Sequence, residues 1–127
     1  MIAPAERLPL AFSAASGFLA TGMGAFAAHA LRRHLGADAL GWLETGVRYQ
    51  FFHTLALLAV ALWLHLTPSP VLAWSARAFM AGIVLFSGSL YLMALTGWRG
   101  FAWATPLGGL LFLAGWLLLL AVAVGKR

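Results

Sequence analysis

The chain has no cysteine and only three acidic residues among its 127. The missing cysteine excludes disulfides, thiolate metal sites and cysteine nucleophiles. The three acidic residues are Glu6, Asp38 and Glu44. No two of them are predicted to face a common site, so the sequence offers no pair of carboxylates for catalysis. The motifs G-x-S-x-G and H-E-x-x-H, which mark serine hydrolases and zinc peptidases, are also missing. The sequence therefore predicts a protein that is not an enzyme.

Charged residues are also scarce, at 9% of the chain against about 25% in soluble domains, whereas hydrophobic residues make up 63%. Four apolar stretches cover residues 8–30, 46–66, 71–96 and 105–124. Each is long enough to cross about 30 Å of hydrocarbon at about 1.5 Å per residue. We therefore predict an all-α integral membrane protein, in which residues 1–127 form one domain of four transmembrane helices in an antiparallel bundle.

The net charge of +5 is spread over both ends of the predicted helices and forms no basic patch for a nucleic acid. Its expected partner is the lipid bilayer, because basic residues anchor helix ends among headgroups. The first stretch begins after Arg7 and ends near Ala28 and Ala30, which resembles a cleavable signal. Its apolar run is longer than a signal core of 7–15 residues, so we interpret it as the first span.

Four spans place both termini on one side of the membrane, here called side A. Side B carries the segment 31–45 and the loop 97–104. Each side carries four basic residues, so the positive-inside rule does not decide the orientation. The terminal amine adds one positive charge to side A and favours a cytoplasmic location for both termini.

The segment 31–45 is the one long connection. Asp38 is a candidate N-cap for a short helix, and Trp42 suits the level of the headgroups. We interpret this segment as an interfacial piece along side B that continues toward the second span, with a lid over a pocket as the alternative.

Small residues recur at spacings of four in the predicted helices, for example Ser13 with Gly17, Gly24 with Ala28, and Ala104 with Gly108. Such spacings let two helix backbones approach closely. Packing within one bundle is the simplest interpretation. A self-association face is the alternative, and it would make the protein a homo-oligomer.

Hydrogen-bonding side chains collect in the side-B half of the predicted bundle. Tyr49 and His53 are four residues apart and Gln50 and His53 three, so these three share one helix face. Polar groups in lipid should point inward and bond one another, so we expect His29 to face His53 across the first two helices. The candidate residues of this cluster are His29, Arg48, Tyr49, Gln50, His53, Ser87, Tyr91 and Thr105.

Three interpretations of this cluster stay open: a hydrogen-bond network that fixes the packing, a site for a lipid headgroup or small ligand, and a proton or ion path. A metal site is disfavoured, because two histidines without a nearby acid give too few ligands. The sequence predicts no cofactor.

Four segments carry a resemblance to a known family: GAFAAHAL at 24–31, TGVRYQFFHTLAL at 45–57, FSGSLY at 86–91 and TPLGG at 105–109. In this order they resemble the YgdD-like family, also called domain of unknown function 423. The family usually has glycine where this chain has Ala27. The resemblance implies a four-span protein of the bacterial inner membrane and supplies no biochemical function.

From this sequence we expect a small, non-catalytic membrane protein with a polar pocket near side B that binds a lipid headgroup or small ligand. One alternative is a small oligomeric transporter or channel with a histidine-lined path. Another is an accessory subunit of a larger membrane complex, with an unknown protein partner.

Overall fold

A computed structural model describes residues 4–125, with side chains from residue 7 onward. Four long helices make up most of this part of the chain, and no residue in it is in a strand. Each helix is long and apolar enough to cross a membrane. The predicted all-α, four-span architecture is therefore confirmed. The helices are α1 (Pro4–His29), α2 (Ala37–Leu66), α3 (Pro70–Thr96) and α4 (Ala104–Val124).

The starts of α3 and α4 follow different rules. Ser69 caps α3, because its Oγ accepts a hydrogen bond from the backbone N–H of Leu72 at 3.3 Å. Pro70 is the first helical residue, a position where its missing N–H would have no partner within the helix. Thr105, directly before Pro106, is predicted from the sequence to be the N-cap of the fourth helix. This prediction is wrong. Helix α4 begins one residue earlier at Ala104, and the Thr105 hydroxyl bonds Ser89 of α3 instead.

The segment 31–45 divides at Gly36, which is the N-cap of α2. Before it lies a short 3₁₀ turn, Leu31–Arg33, and after it the helix runs straight into the second span. The predicted cap by Asp38 is wrong, because this residue lies inside the first turn and no side chain caps the helix. Helix α2 has 30 residues and is about 45 Å long, so its first turns extend beyond about 30 Å of hydrocarbon.

Helix α2 occupies the middle of the bundle. It packs against α1 on one flank and α3 on the other, while α4 packs mainly on α3. Apolar side chains of α2, α3 and α4 fill the core, including Leu57, Phe79 and Phe112. At the side-B end, the fully buried Leu43 packs with Ala27 of α1 and Ala94 of α3. The start of α2 therefore belongs to the folded bundle.

Helices α3 and α4 meet at a backbone contact. A Cβ atom added to Gly108 would lie 2.4 Å from the backbone nitrogen of Phe86, closer than side-chain carbons pack. At the same crossing, a Cβ on Gly82 would meet the Phe112 ring at 2.5 Å, and one on Gly115 would meet the Phe79 ring at the same distance. These glycines serve packing within the bundle, which is the first of the two interpretations of the small-residue spacings.

A π-helical turn, Ile83–Ser87, interrupts α3 at this crossing. Turns of this kind insert one extra residue into an α-helix and are frequent at functional sites. Here the turn brings the backbone of Phe86 against Gly108 and the hydroxyl of Ser87 against the backbone of α2. It therefore links α3 to both of its neighbours.

Substitution of Gly108 tests this contact against its neighbour Gly109. A Cβ on Gly109 has its nearest contacts at 3.9 Å, on the Phe86 ring, which is ordinary van der Waals distance. We expect Gly108→Ala to destabilise the protein by about 1–3 kcal/mol through overpacking, although alanine is the better helix former. Gly109→Ala should be neutral or stabilising. Thermal unfolding in detergent, followed by circular dichroism, measures both, and equal melting temperatures would contradict the contact.

Candidate functional site

Gln50 is the centre of a hydrogen-bond network that joins α1, α2 and α3. Its Nε2 donates to Ser16 Oγ at 2.9 Å and to the Ser16 carbonyl at 3.2 Å. Its Oε1 accepts from the hydroxyl of Tyr91. Ser16 Oγ also lies 2.7 Å from Thr54 Oγ1, one turn further along α2. The buried amide is thus satisfied by two other helices, as a polar group in hydrocarbon requires.

His53 joins α2 to α4. Its Nδ1 lies 2.8 Å from the Tyr49 carbonyl, and its Nε2 lies 3.0 Å from Nε1 of Trp116. An indole N–H only donates, so Nε2 must be the acceptor and Nδ1 must carry the proton. The imidazole also stacks on the Phe112 ring, with centroids 3.6 Å apart and planes within 6°. His53 is therefore a neutral histidine, and it is held by Tyr49, Trp116 and Phe112.

Two further hydroxyls tie α3 to its neighbours. Ser87 Oγ donates to the Gly46 carbonyl of α2 at 2.7 Å. Ser89 Oγ donates to the Phe86 carbonyl at 2.9 Å and also bonds the Thr105 hydroxyl of α4. With the bonds above they form one group, here called the polar cluster. Its side chains are Ser16, Gln50, His53, Thr54, Ser87, Ser89, Tyr91, Thr105 and Trp116.

Five of the eight candidate residues have their side chains in the polar cluster: Gln50, His53, Ser87, Tyr91 and Thr105. The others are placed elsewhere. Tyr49 contributes its backbone carbonyl and ring contacts, while its side chain is 38% exposed. Arg48 and His29 are exposed.

The prediction that His29 faces His53 is wrong. Ser16 bonds Thr54, and a Cβ on Gly24 would touch Val47. Because the two helices are antiparallel, later residues of α1 lie beside earlier residues of α2. His29, five residues beyond Gly24, therefore lies level with the first turns of α2, well away from His53. The position of each residue along its predicted span did not determine which residues of α1 lie beside which residues of α2.

The sequence patterns did not single out four cluster residues as site candidates: Ser16, Thr54, Ser89 and Trp116. The spacing offered a pattern for one of them, because Thr54 follows Gln50 by four residues and shares its helix face. Trp116 lies in the middle of the apolar stretch 105–124, where its N–H needs an acceptor. Ser16 has no distinguishing pattern among the small residues of α1.

A second polar feature lies at the side-B end, between α1 and α2. It is a cavity of about 260 Å³, here called the side-B groove. Small residues of the last turns of α1 form one wall, and three charged side chains and Val47 line the rest. Among the described residues, none of these charged side chains has an ion-pair partner. The lining residues include Gly24, Ala27, Ala28, Arg32, Glu44 and Arg48.

The groove and the polar cluster differ in hydrogen bonding. Within residues 7–125, every fully buried side-chain nitrogen or oxygen has a hydrogen-bond partner. The arginines and the glutamate of the groove are exposed. The groove therefore offers charges that a ligand can bind, whereas the cluster's polar groups already bind one another.

Comparison with known proteins places the chain among small membrane proteins. A family described as protein of unknown function (DUF423) matches residues 23–109. The UPF0382 inner membrane protein YgdD of Escherichia coli strain K12 is 48% identical over 119 residues, covering 94% of this chain and 91% of the relative. A UPF0382 membrane protein of Haemophilus influenzae is 48% identical over 108 residues, covering 85% and 86%.

The similarity extends to relatives with lower sequence identity. The UPF0382 membrane protein SSP2132 of Staphylococcus saprophyticus is 43% identical over 106 residues, covering 84% of this chain and 88% of the relative. No solved structure matches the chain. The matched region contains both the polar cluster's residues on α2 and α3 and the side-B groove. With its four spans and these relatives, the chain belongs to the DUF423 (UPF0382, YgdD-like) family of membrane proteins, whose function is unknown.

Proposed function

We propose that this protein is a non-catalytic component of the bacterial inner membrane that binds a lipid headgroup in the side-B groove. In this proposal the polar cluster stabilises the helix packing and takes no part in binding. The observation that carries the proposal is the pair of arginines, Arg32 and Arg48, which line one cavity without ion-pair partners among the described residues.

The polar cluster has the properties of a packing element. Gln50 uses both amide hydrogens on Ser16 and its carbonyl on Tyr91, so a ligand there would have to displace existing bonds. Hydrogen bonds between membrane helices contribute about 0.6 kcal/mol each on average. Several of them, distributed over four helices, favour one packing arrangement over its alternatives.

The side-B groove has the properties of a headgroup site. It lies beside the last turns of α1, where the span ends and hydrocarbon gives way to headgroups. Its wall of small residues lets a ligand approach the helix backbone. Two guanidinium groups suit a phosphate, because their planar N–H donors bind its oxygens in pairs.

The alternative of a histidine-lined transport path receives no support. His29 is exposed and separated from His53 by the helix register. Both ring nitrogens of His53 already lie within hydrogen-bond distance of Tyr49 and Trp116. The pair of histidines that suggested the path is therefore not a pair in the structure.

The proposal also includes an orientation, with both termini in the cytoplasm. Four spans put the termini on one side, so one reporter fusion determines the location of both. In this orientation the side-B groove meets the periplasmic leaflet. A C-terminal fusion to a reporter that is active only in the cytoplasm tests it, and an inactive fusion would reverse the assignment.

The role of the polar cluster predicts a defined state for His53. We expect its Nδ1 to carry the proton and its Nε2 to be unprotonated, because Nε2 accepts the Trp116 N–H. Long-range ¹H–¹⁵N spectra of the protein in detergent should show this tautomer. Trp116→Phe should shift the Nε2 resonance of His53 and lower stability by about 0.6–1.7 kcal/mol. A protonated Nε2 in the wild-type protein would contradict the assignment.

The role of the groove predicts lipid retention that depends on its arginines. We expect native mass spectrometry of wild-type protein from nanodiscs to show one tightly held phospholipid. The double variant Arg32→Gln/Arg48→Gln should retain it at least about tenfold less, since charge-assisted hydrogen bonds contribute about 1.5–3 kcal/mol each.

The matched control for this experiment is Arg33→Gln. Arg33 is also exposed and lies in the same 3₁₀ turn, but it does not line the groove. It should retain lipid as the wild-type protein does. Equal loss in Arg33→Gln and in the double variant would assign the effect to overall charge and would refute the groove as the binding site.

A further inference from the structure

We propose that the side-B groove selects headgroups that carry both a phosphate and a primary ammonium group. Glu44 would bind the ammonium while Arg32 and Arg48 bind the phosphate. This inference rests on the proposed function and adds to it the chemical class of the ligand.

The groove contains charges of both signs. Glu44 and Arg48 are four residues apart on α2, so their side chains leave the same face of the helix. Opposite charges at this spacing commonly pair with each other, yet here they form no ion pair within 4.0 Å. Arg32 enters from the 3₁₀ turn that follows α1. Two cationic groups and one carboxylate therefore line one cavity as separate binding groups.

A zwitterionic headgroup matches this arrangement. Its phosphate is anionic and its terminal ammonium cationic, with a two-carbon chain between them, so both ends find an opposite charge in one cavity. Each ammonium–carboxylate or guanidinium–phosphate contact is a charge-assisted hydrogen bond, which is the stronger kind. An anionic headgroup without an amine would satisfy the arginines, but it would bring no N–H donor for the carboxylate of Glu44.

The size of the cavity suits the headgroup of a lipid and not the whole lipid molecule. About 260 Å³ lies just below the range of about 300–1,000 Å³ that is typical of sites for whole small molecules. The acyl chains would therefore stay in the bilayer beside α1 and α2. Ala27 is buried against Leu43 and Ala94, so this wall of the groove is held by the packed bundle.

The experiment compares lipid retention in nanodiscs made of equal parts phosphatidylethanolamine, phosphatidylglycerol and phosphatidylcholine, read by native mass spectrometry. Phosphatidylglycerol lacks the amine, and the quaternary ammonium of phosphatidylcholine has no N–H to donate. The test variant is Glu44→Gln, which keeps the shape of the side chain and removes its charge. The control is Asp38→Asn, which removes an exposed acid from the same helix outside the groove.

We expect wild-type protein and Asp38→Asn to retain phosphatidylethanolamine about tenfold more than either other lipid, which corresponds to about 1.4 kcal/mol. Glu44→Gln should lose this preference while the total lipid retained stays within about twofold of the wild-type amount, since the arginines still bind the phosphate.

Three results would overturn the inference: an unchanged preference in Glu44→Gln, equal retention of phosphatidylcholine and phosphatidylethanolamine by the wild-type protein, or a wild-type preference for phosphatidylglycerol. Failure of the underlying proposal gives a different result, in which wild-type protein and Arg32→Gln/Arg48→Gln retain equal amounts of every lipid. The two failures are therefore distinguishable in one set of spectra.

Discussion

The amide of Gln50 imposes the constraint on which the arrangement of α1, α2 and α3 depends. In hydrocarbon no water is available to bond its two hydrogens and its oxygen, so other helices must supply the partners. Ser16 of α1 and Tyr91 of α3 do so, and both bonds exist at only one register of these helices against α2. Sliding α1 by one turn would take Ser16 away from this amide, and a buried polar group left unsatisfied costs about 1–3 kcal/mol.

The fourth helix is positioned by a different interaction. Helix α4 carries few polar side chains, and its approach to α3 is set by glycines that let the backbones touch, with Gly108 against Phe86 as the closest point. The aromatic side chains of Phe79 and Phe112 fill the space beside Gly115 and Gly82. The bond between Trp116 and His53 then fixes the rotation of α4 relative to α2. Steric fit thus determines the distance between α3 and α4, and the hydrogen bonds of Trp116 and Thr105 determine which side of α4 faces the bundle.

The sequence predicted the parts of this structure that depend on length and composition. Four apolar runs long enough for a bilayer gave the spans, and the depth of polar residues along them brought Gln50, His53 and Tyr91 together. Rotation and register were not predictable in the same way, because they depend on which small residues of α1 face α2. For that reason His29 was placed opposite His53, and Ser16 was missed although it is the partner of Gln50.

Predictions of helix caps from local sequence were wrong where contacts between helices use the same side chains or where the helix begins earlier. Thr105 has the chemistry of an N-cap, but its hydroxyl forms a bond with Ser89 that joins two helices. Asp38 has the same chemistry, but α2 begins one residue before it, at Ala37. The π-turn in α3 has no distinctive composition, and it lies where Phe86 packs against Gly108 and Ser87 bonds Gly46.

The register set by Gln50 also determines the shape of the side-B groove. With Ser16 bonded to Thr54, the antiparallel helices bring Gly24 against Val47, so the small residues that end α1 lie opposite the charged turn of α2. Glu44 and Arg48 stand on a long helix and not on a loop, which gives them fixed positions relative to that wall. The buried cluster and the exposed groove are therefore connected: hydrogen bonds inside the membrane fix the helix register, and that register brings the charged side chains together at the membrane face.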